Sequence, residues 1–252
     1  MKTKTALITG STCGIGLAFT KLLAKEGYTL LLVSSNQSRL EREKAAIQRW
    51  KPQLSVHIYC EDLSERGAAR RLYERVKADG HKVDLLINNA GFGMIGPAQS
   101  LDMEREQKML QLLVVTPTEL CKCYLAQMYK LGRGKILNVA STGAFQPGPY
   151  TASYFAAKSY LYQYSQAIRL EAKKYGIQVS TLCPGTTRTK FFQVTGKRTP
   201  LWAMSPNKVA EEAWKGLENG QAVIVPGLMN RILRLIPAGI KAKGVALLKK
   251  YG

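Results

Sequence analysis

Short apolar runs alternate along the chain with longer segments in which apolar residues return every three or four positions. TALIT precedes a helical period over 14–26, YTLLLVS leads into 38–50, LSVHIY into 64–79, and VDLLIN into 102–131. The pattern then repeats. KILNVAS precedes a helix over 152–175, IQVSTLC runs into Pro184-Gly185, and AVIVPG follows a helix that Ser205 caps with Pro206 in its first turn. Strands joined through helices run parallel, and right-handed crossovers place the helices on both faces. The pattern predicts an α/β, doubly wound parallel sheet of about seven strands, in a single domain over 1–252 without a linker.

One connection, 186–205, is long and carries Phe191, Phe192, Trp202 and Met204. Ligands of such sheets bind beyond the carboxyl ends of the strands, so this segment is placed to cover a substrate; packing under a loop explains its apolar residues equally well.

Composition narrows the classes. No apolar run approaches the roughly 18 residues of a membrane span, and the run after Lys4 ends at Gly10 and polar Ser11 and Thr12, which suits a strand better than a secretory signal. Five cysteines (Cys13, Cys60, Cys121, Cys123, Cys183) lack C-x-x-C spacing and have only His57 and His81 beside them, so no metal site is expected. Reduced thiols imply a cytoplasmic protein. The formal charge is +20, from 37 basic and 17 acidic residues, a field that attracts phosphates, acidic carriers or anionic lipid. Nucleic acid is not expected: neither zinc-finger spacing nor an aromatic RNA-binding strand accompanies the charge.

Gly10-Ser11-Thr12-Cys13-Gly14-Ile15-Gly16 follows the first strand and opens the first helix. Glycines let the backbone approach a pyrophosphate while the helix N-terminus favours its charge, so the turn predicts dinucleotide binding. A carboxylate about 20 residues onward would grip the ribose hydroxyls of NAD. Here the second strand ends in Ser34-Ser35-Asn36, and the next acid is Glu41, inside a helix. Hydroxyls of Thr12, Ser34 and Ser35 with Arg39 suit the 2'-phosphate of NADP, which is expected over NAD; as a bare helix residue, Arg39 would simply be solvated. Asp62-Leu63 and Asn88-Asn89-Ala90-Gly91 reach the same sheet edge. They fit adenine and cofactor contacts, or a helix cap and a turn.

Tyr154 and Lys158 stand four apart on one helical face. Tyr73 and Lys77 share that spacing, but only Tyr154 has a serine, Ser141, at the end of a strand 154 − 141 = 13 positions upstream. Taken in order, the glycine turn, Asn88-Asn89-Ala90-Gly91, Ser141, Tyr154-x-x-x-Lys158 and Pro184-Gly185 resemble the short-chain dehydrogenase/reductase family over nearly the whole chain, with most likeness to ketone and oxoacyl reductases. The resemblance implies hydride exchange between a nicotinamide and a carbonyl or secondary alcohol of a small, fairly apolar substrate. It makes Tyr154 the proton donor, Ser141 the holder of the carbonyl oxygen, and Lys158 both the tuner of Tyr154 and a ligand of the nicotinamide ribose. Pro184, Gly185 and Thr187 would flank the nicotinamide, and a homo-oligomer is expected. An ammonium nearby and the positive nicotinamide would lower the phenol from its usual pKa of about 10.

One position departs from that family. Its long helix usually supplies an Asn whose main chain holds a water for proton relay, and Leu113 stands there. Pro117 lacks the N–H that would bond the Leu113 carbonyl, so it either preserves the kink and the water site or marks an impaired relay. Impairment would make the chain a dinucleotide-binding regulator without turnover.

The tail, 228–252, holds Arg231, Arg234, Lys241, Lys243, Lys249 and Lys250 and no acid, with Leu228, Ile232, Leu235 and Ile236 on one helical stripe. It suits docking on an anionic membrane surface, contact with an acidic acyl carrier, or a dimer or lid helix with its basic face solvated.

Overall fold

The computed structural model describes residues 3–189, 200 and 202–251, with backbone alone at 243 and 248–251. Strands β1 (Thr5–Thr9), β2 (Thr29–Ser34), β3 (Val56–Cys60), β4 (Leu85–Asn88), β5 (Gly134–Val139), β6 (Ile177–Leu182) and β7 (Val223–Ile224) form one parallel sheet in the order β3-β2-β1-β4-β5-β6-β7. The strand order reverses between β1 and β4, which opens a crevice at their carboxyl ends.

Alternation along the strands builds the two core layers. On β1, Ala6 and Ile8 face one side and Leu7 the other; on β2, Leu30 and Leu32 oppose Leu31 and Val33. Helices α1 (Gly14–Lys25) and α2 (Gln37–Trp50) cover the first side through Phe19, Leu23, Leu40 and Ile47. Helix α3 (Ala68–Ala78) lies on the second through Leu72 and Val76.

The segment 102–131 is not one helix. It divides into α4 (Met103–Leu110), a π turn (Gln111–Val115) and α5 (Thr116–Leu131), so the irregularity begins ahead of Pro117. Helix α6 (Ala152–Lys173) joins α5 on the second side, and α7 (Pro206–Glu218) joins the first. Ser205 caps α7 as expected, its hydroxyl accepting from the Lys208 N–H at 3.2 Å. The third helix starts later than its periodicity suggests, because Asp62 binds both the N–H and the hydroxyl of Ser64 and Gly67 enters the helix at φ +75°.

Within the connection 186–205, residues 190–199 and 201, Phe191 and Phe192 among them, lie outside the described residues. Its base is closed by a bridge between Thr187 and Met204; Met204 packs on the core, while Trp202 is exposed. Helices α8 (Leu228–Leu235) and α9 (Ala238–Tyr251) end the chain.

Candidate functional site

Thr9, the last residue of β1, organises the crevice. Its hydroxyl accepts from the N–H groups of Asn89 (2.9 Å) and Ala90 (3.0 Å), and the Asn89 amide donates to the Thr9 carbonyl at 2.9 Å. The turn after β4 is thereby fastened to the glycine turn after β1. Gly16 permits the closest approach: a Cβ there would overlap the Gly10 carbonyl and the Asn89 amide. Gly14, at φ +54°, lies against the side chain of Thr189. Ile15 packs on the core. Ser11 is fully buried and commits both its N–H and its hydroxyl to the Val33 carbonyl.

Cys13 precedes α1 without a side-chain cap, so the N–H groups of that first turn remain available to an anion. Such a turn fits a dinucleotide pyrophosphate. At the end of β2, the hydroxyls of Thr12 and Ser34 lie 3.2 Å apart, and Ser35 is exposed beside them. Arg39 sits in the first turn of α2 and has no acidic partner among the described residues. The carboxylate of Asp62 is exposed but holds Ser64, and Leu63 is buried.

Ser141 ends the β5 segment with its hydroxyl accepting from the Gly143 N–H at 3.0 Å, and that hydroxyl also hydrogen-bonds the Tyr154 phenol. Tyr154 and Lys158 occupy successive turns of α6, with the Lys158 ammonium 5.8 Å from the centre of the Tyr154 ring. Lys158 is 5% exposed and donates to the Val139 carbonyl at 2.7 Å. Burial pulls it down to about 8, while burial pushes the Tyr154 phenol up to about 12 against the Ser141 hydrogen bond. The lowering of Tyr154 expected from the sequence is therefore not present in the protein alone. Desolvation outweighs the Ser141 hydrogen bond.

Pro184 accepts from the Thr142 N–H at 3.0 Å and so ties the turn after β6 to the Ser141 segment. Gly185 receives the side chain of Asn230 from α8, and the Thr187 hydroxyl donates to the Gly185 carbonyl at 3.0 Å. The Gly91 backbone abuts Leu113, so this leucine borders the site from the π turn. A cavity of about 10 Å³ lies between Leu113, Thr116 and Pro117 on one side and Thr9, Asn88 and Lys158 on the other. The buried Oδ1 of Asn88 has no hydrogen-bond partner among the described residues; its amide nitrogen donates to Asn138 at 2.8 Å, and Asn138 to Ser165 at 2.8 Å.

Several participants were not singled out from the sequence. Tyr150, at φ +61°, turns the chain into α6 and accepts from the Gly96 N–H at 2.9 Å. Ser153 binds Glu106 of α4, and Phe155 packs against Gly143 and Gly148. Pro147-Gly148-Pro149 announces a turn there, but a positive φ on a tyrosine has no sequence signature.

A short chain dehydrogenase family model matches residues 4–199. The chain belongs to that family. This short-chain dehydrogenase is an oxidoreductase, and it is 32% identical to a fatty acyl-CoA reductase of Acinetobacter baylyi over 213 residues, 84% of this chain and 72% of that one. It is 26% identical to the human very-long-chain 3-oxoacyl-CoA reductase over 254 residues, covering 97% and 79% of the two chains. Among solved structures, a short-chain dehydrogenase from Sphingobium yanoikuyae in complex with NADPH superposes with a TM-score of 0.85 at 26% identity, over 97% of this chain and 94% of that one.

The buried Lys158 gives this dehydrogenase a pH signature. Its folded pKa of about 8 lies below its ordinary 10.5, so between those values the unfolded chain binds more protons and stability rises with pH. The unfavourable contribution is complete below pH 8 and vanishes above 10.5. Denaturant unfolding of the cofactor-free protein should therefore show wild type gaining on Lys158→Met as pH rises through this window. Parallel stability curves would contradict the buried ammonium.

Proposed function

We propose that this protein is an NADP-dependent carbonyl reductase acting reversibly on a fairly apolar ketone or oxoacyl substrate, with an oxoacyl thioester the best supported form. The observation that carries the reading is the Ser141 hydroxyl bonded to the Tyr154 phenol with Lys158 buried behind it. The glycine turn and the uncapped start of α1 would hold the pyrophosphate, Thr12, Ser35 and Arg39 the 2'-phosphate, and Lys158, Pro184, Gly185 and Thr187 the nicotinamide half. When bound, the nicotinamide supplies the hydride that reaches the carbonyl carbon.

The protein's own groups manage the oxygen and the proton. Ser141 donates a hydrogen bond to the carbonyl oxygen, and Tyr154 protonates that oxygen as charge develops on it. A phenol near 12 is a weak acid at neutral pH, so Lys158 must favour the phenolate as the proton leaves. Tyr154, Phe92 and Leu101 pack on one apolar cluster with Met94 at its core, which would offer apolar surface to the substrate. The relatives' names, a fatty acyl-CoA reductase and 3-oxoacyl-CoA reductases, support an acyl chain.

Replenishing the proton needs a path, and we assign it to one water in the cavity beside Lys158. The volume of about 10 Å³ meets the lower bound for one water, roughly 10–15 Å³. Asn88 Oδ1 and the Lys158 ammonium supply polar partners, and Pro117 keeps the π turn from closing into a regular helix. A regulator without turnover is not favoured, since Ser141, Tyr154 and Lys158 are assembled and the relatives are oxidoreductases.

Steady-state oxidation of NADPH with 3-oxoacyl thioesters and bulky ketones tests the reaction. Tyr154→Phe should lose roughly 10²–10⁴-fold in kcat, and undiminished turnover would refute the mechanism. Arg39→Ala should raise KM for NADPH roughly tenfold, the loss of one charge-assisted contact, and leave NADH unchanged. Pro117→Ala restores an N–H to the helix and should lower kcat about tenfold with cofactor KM intact; equal kcat would remove Pro117 from the proton path.

A further inference from the structure

Helix α8 is mounted with its polar side toward the protein and its apolar side toward solvent. Asn230 seats on Gly185 and donates to the Pro226 carbonyl at 2.7 Å. Arg231 reaches the Val225 carbonyl at 2.9 Å and Glu212 at 3.4 Å, and Arg234 lies 4.7 Å over the Phe145 ring. The other side presents Leu228, Met229, Ile232, Leu233 and Leu235, which are 44–84% exposed, and none of the helix is buried. An ordinary surface helix turns its apolar stripe to the core. The arginines of α8 contact the body while their side chains stay exposed, Arg231 at 59%, and its leucines face out.

Helix α9 extends the same character. Ile240 and Leu247, seven residues apart and therefore on one face, are each 64% exposed. Its Lys241 returns to the Phe145 carbonyl at 3.5 Å. The tail has six basic residues and no acid in 228–252, within a chain of formal charge +20. Among the described residues no helix is long and apolar enough to cross a membrane.

We infer that α8 and α9 dock this protein on an anionic phospholipid surface, with the apolar side of α8 lying among the acyl chains and the net positive charge of the tail attracted by the headgroups. A contiguous exposed apolar face needs a cover. A second copy would bring one basic, acid-free tail against another, and like charges oppose that pairing; an anionic bilayer complements them. The placement is informative, because α8 touches Gly185 and Phe145, at the border of the site described above. A docked α8 turns that border toward the membrane, where an acyl substrate partitions. This last step rests on the carbonyl-reductase reading, whereas the docking does not.

Flotation of the full-length protein with vesicles separates the two, since it reads binding without turnover. Phosphatidylcholine vesicles containing about one third phosphatidylglycerol should retain at least about ten times more protein than phosphatidylcholine alone, and roughly 0.5 M salt should release much of it. Ile232→Asp/Leu235→Asp should abolish retention about tenfold or more while keeping the thermal midpoint, as expected for exposed positions. Leu228→Asp provides a second, milder variant with the same expected direction. No retention on anionic vesicles overturns the proposal, as does retention that both variants leave unchanged. A sedimenting dimer that Ile232→Asp/Leu235→Asp dissociates, without flotation of wild type, assigns the face to a second copy and overturns it too.

Discussion

The fastening of Thr9 to Asn89 and Ala90 is the contact on which the rest depends. Where the strand order reverses, β1 and β4 send their following chains to opposite sides, and nothing in the ladder holds those chains together. One hydroxyl, donating to the Ile87 carbonyl and accepting two N–H groups, closes the gap with backbone groups that would otherwise lie buried and unpaired. The glycine turn can then pack directly on Asn89, because Gly16 presents no Cβ at the point of contact. A crevice lined by peptide N–H groups is the consequence, and it suits an anion before any side chain is considered.

Around that crevice the electrostatics are set by burial. Burial lowers Lys158 to about 8 and raises Tyr154 to about 12, so near neutral pH the ammonium persists and the phenol stays protonated in the protein alone. The pair is therefore poised, with its balance decided by whatever charge enters the crevice. The π turn lines a small cavity next to the ammonium with Leu112 and Leu113, which have no polar side-chain group to offer. Asn88, whose amide nitrogen is engaged and whose oxygen has no partner among the described residues, also lines this cavity.

The end of the chain follows a different logic. Its helices are held by polar contacts, Asn230 on Gly185 and Arg234 on Phe145, and leave apolar surface outward. Such an arrangement is costly in water and sensible beside an apolar phase. The border of the site and this surface meet where Asn230 packs on Gly185.

Period and punctuation alone determined the alternation of strands and helices and the parallel sheet, because side-chain direction in these elements repeats every two or 3.6 residues and survives without long-range information; the grouping of Ser141, Tyr154 and Lys158 came from the ordered motifs that resemble the family. The same reading located the Ser205 cap. It could not show that Ser11 and Asp62 are already engaged, that Tyr154 is raised and not lowered, or that the irregular turn begins at Gln111. These depend on desolvation and on partners distant in sequence. Nor could the stripe Leu228, Ile232, Leu235 reveal which way it faces. An amphipathic period fixes two sides of a helix, and only tertiary contacts, here Gly185 against Asn230, decide which side meets the protein.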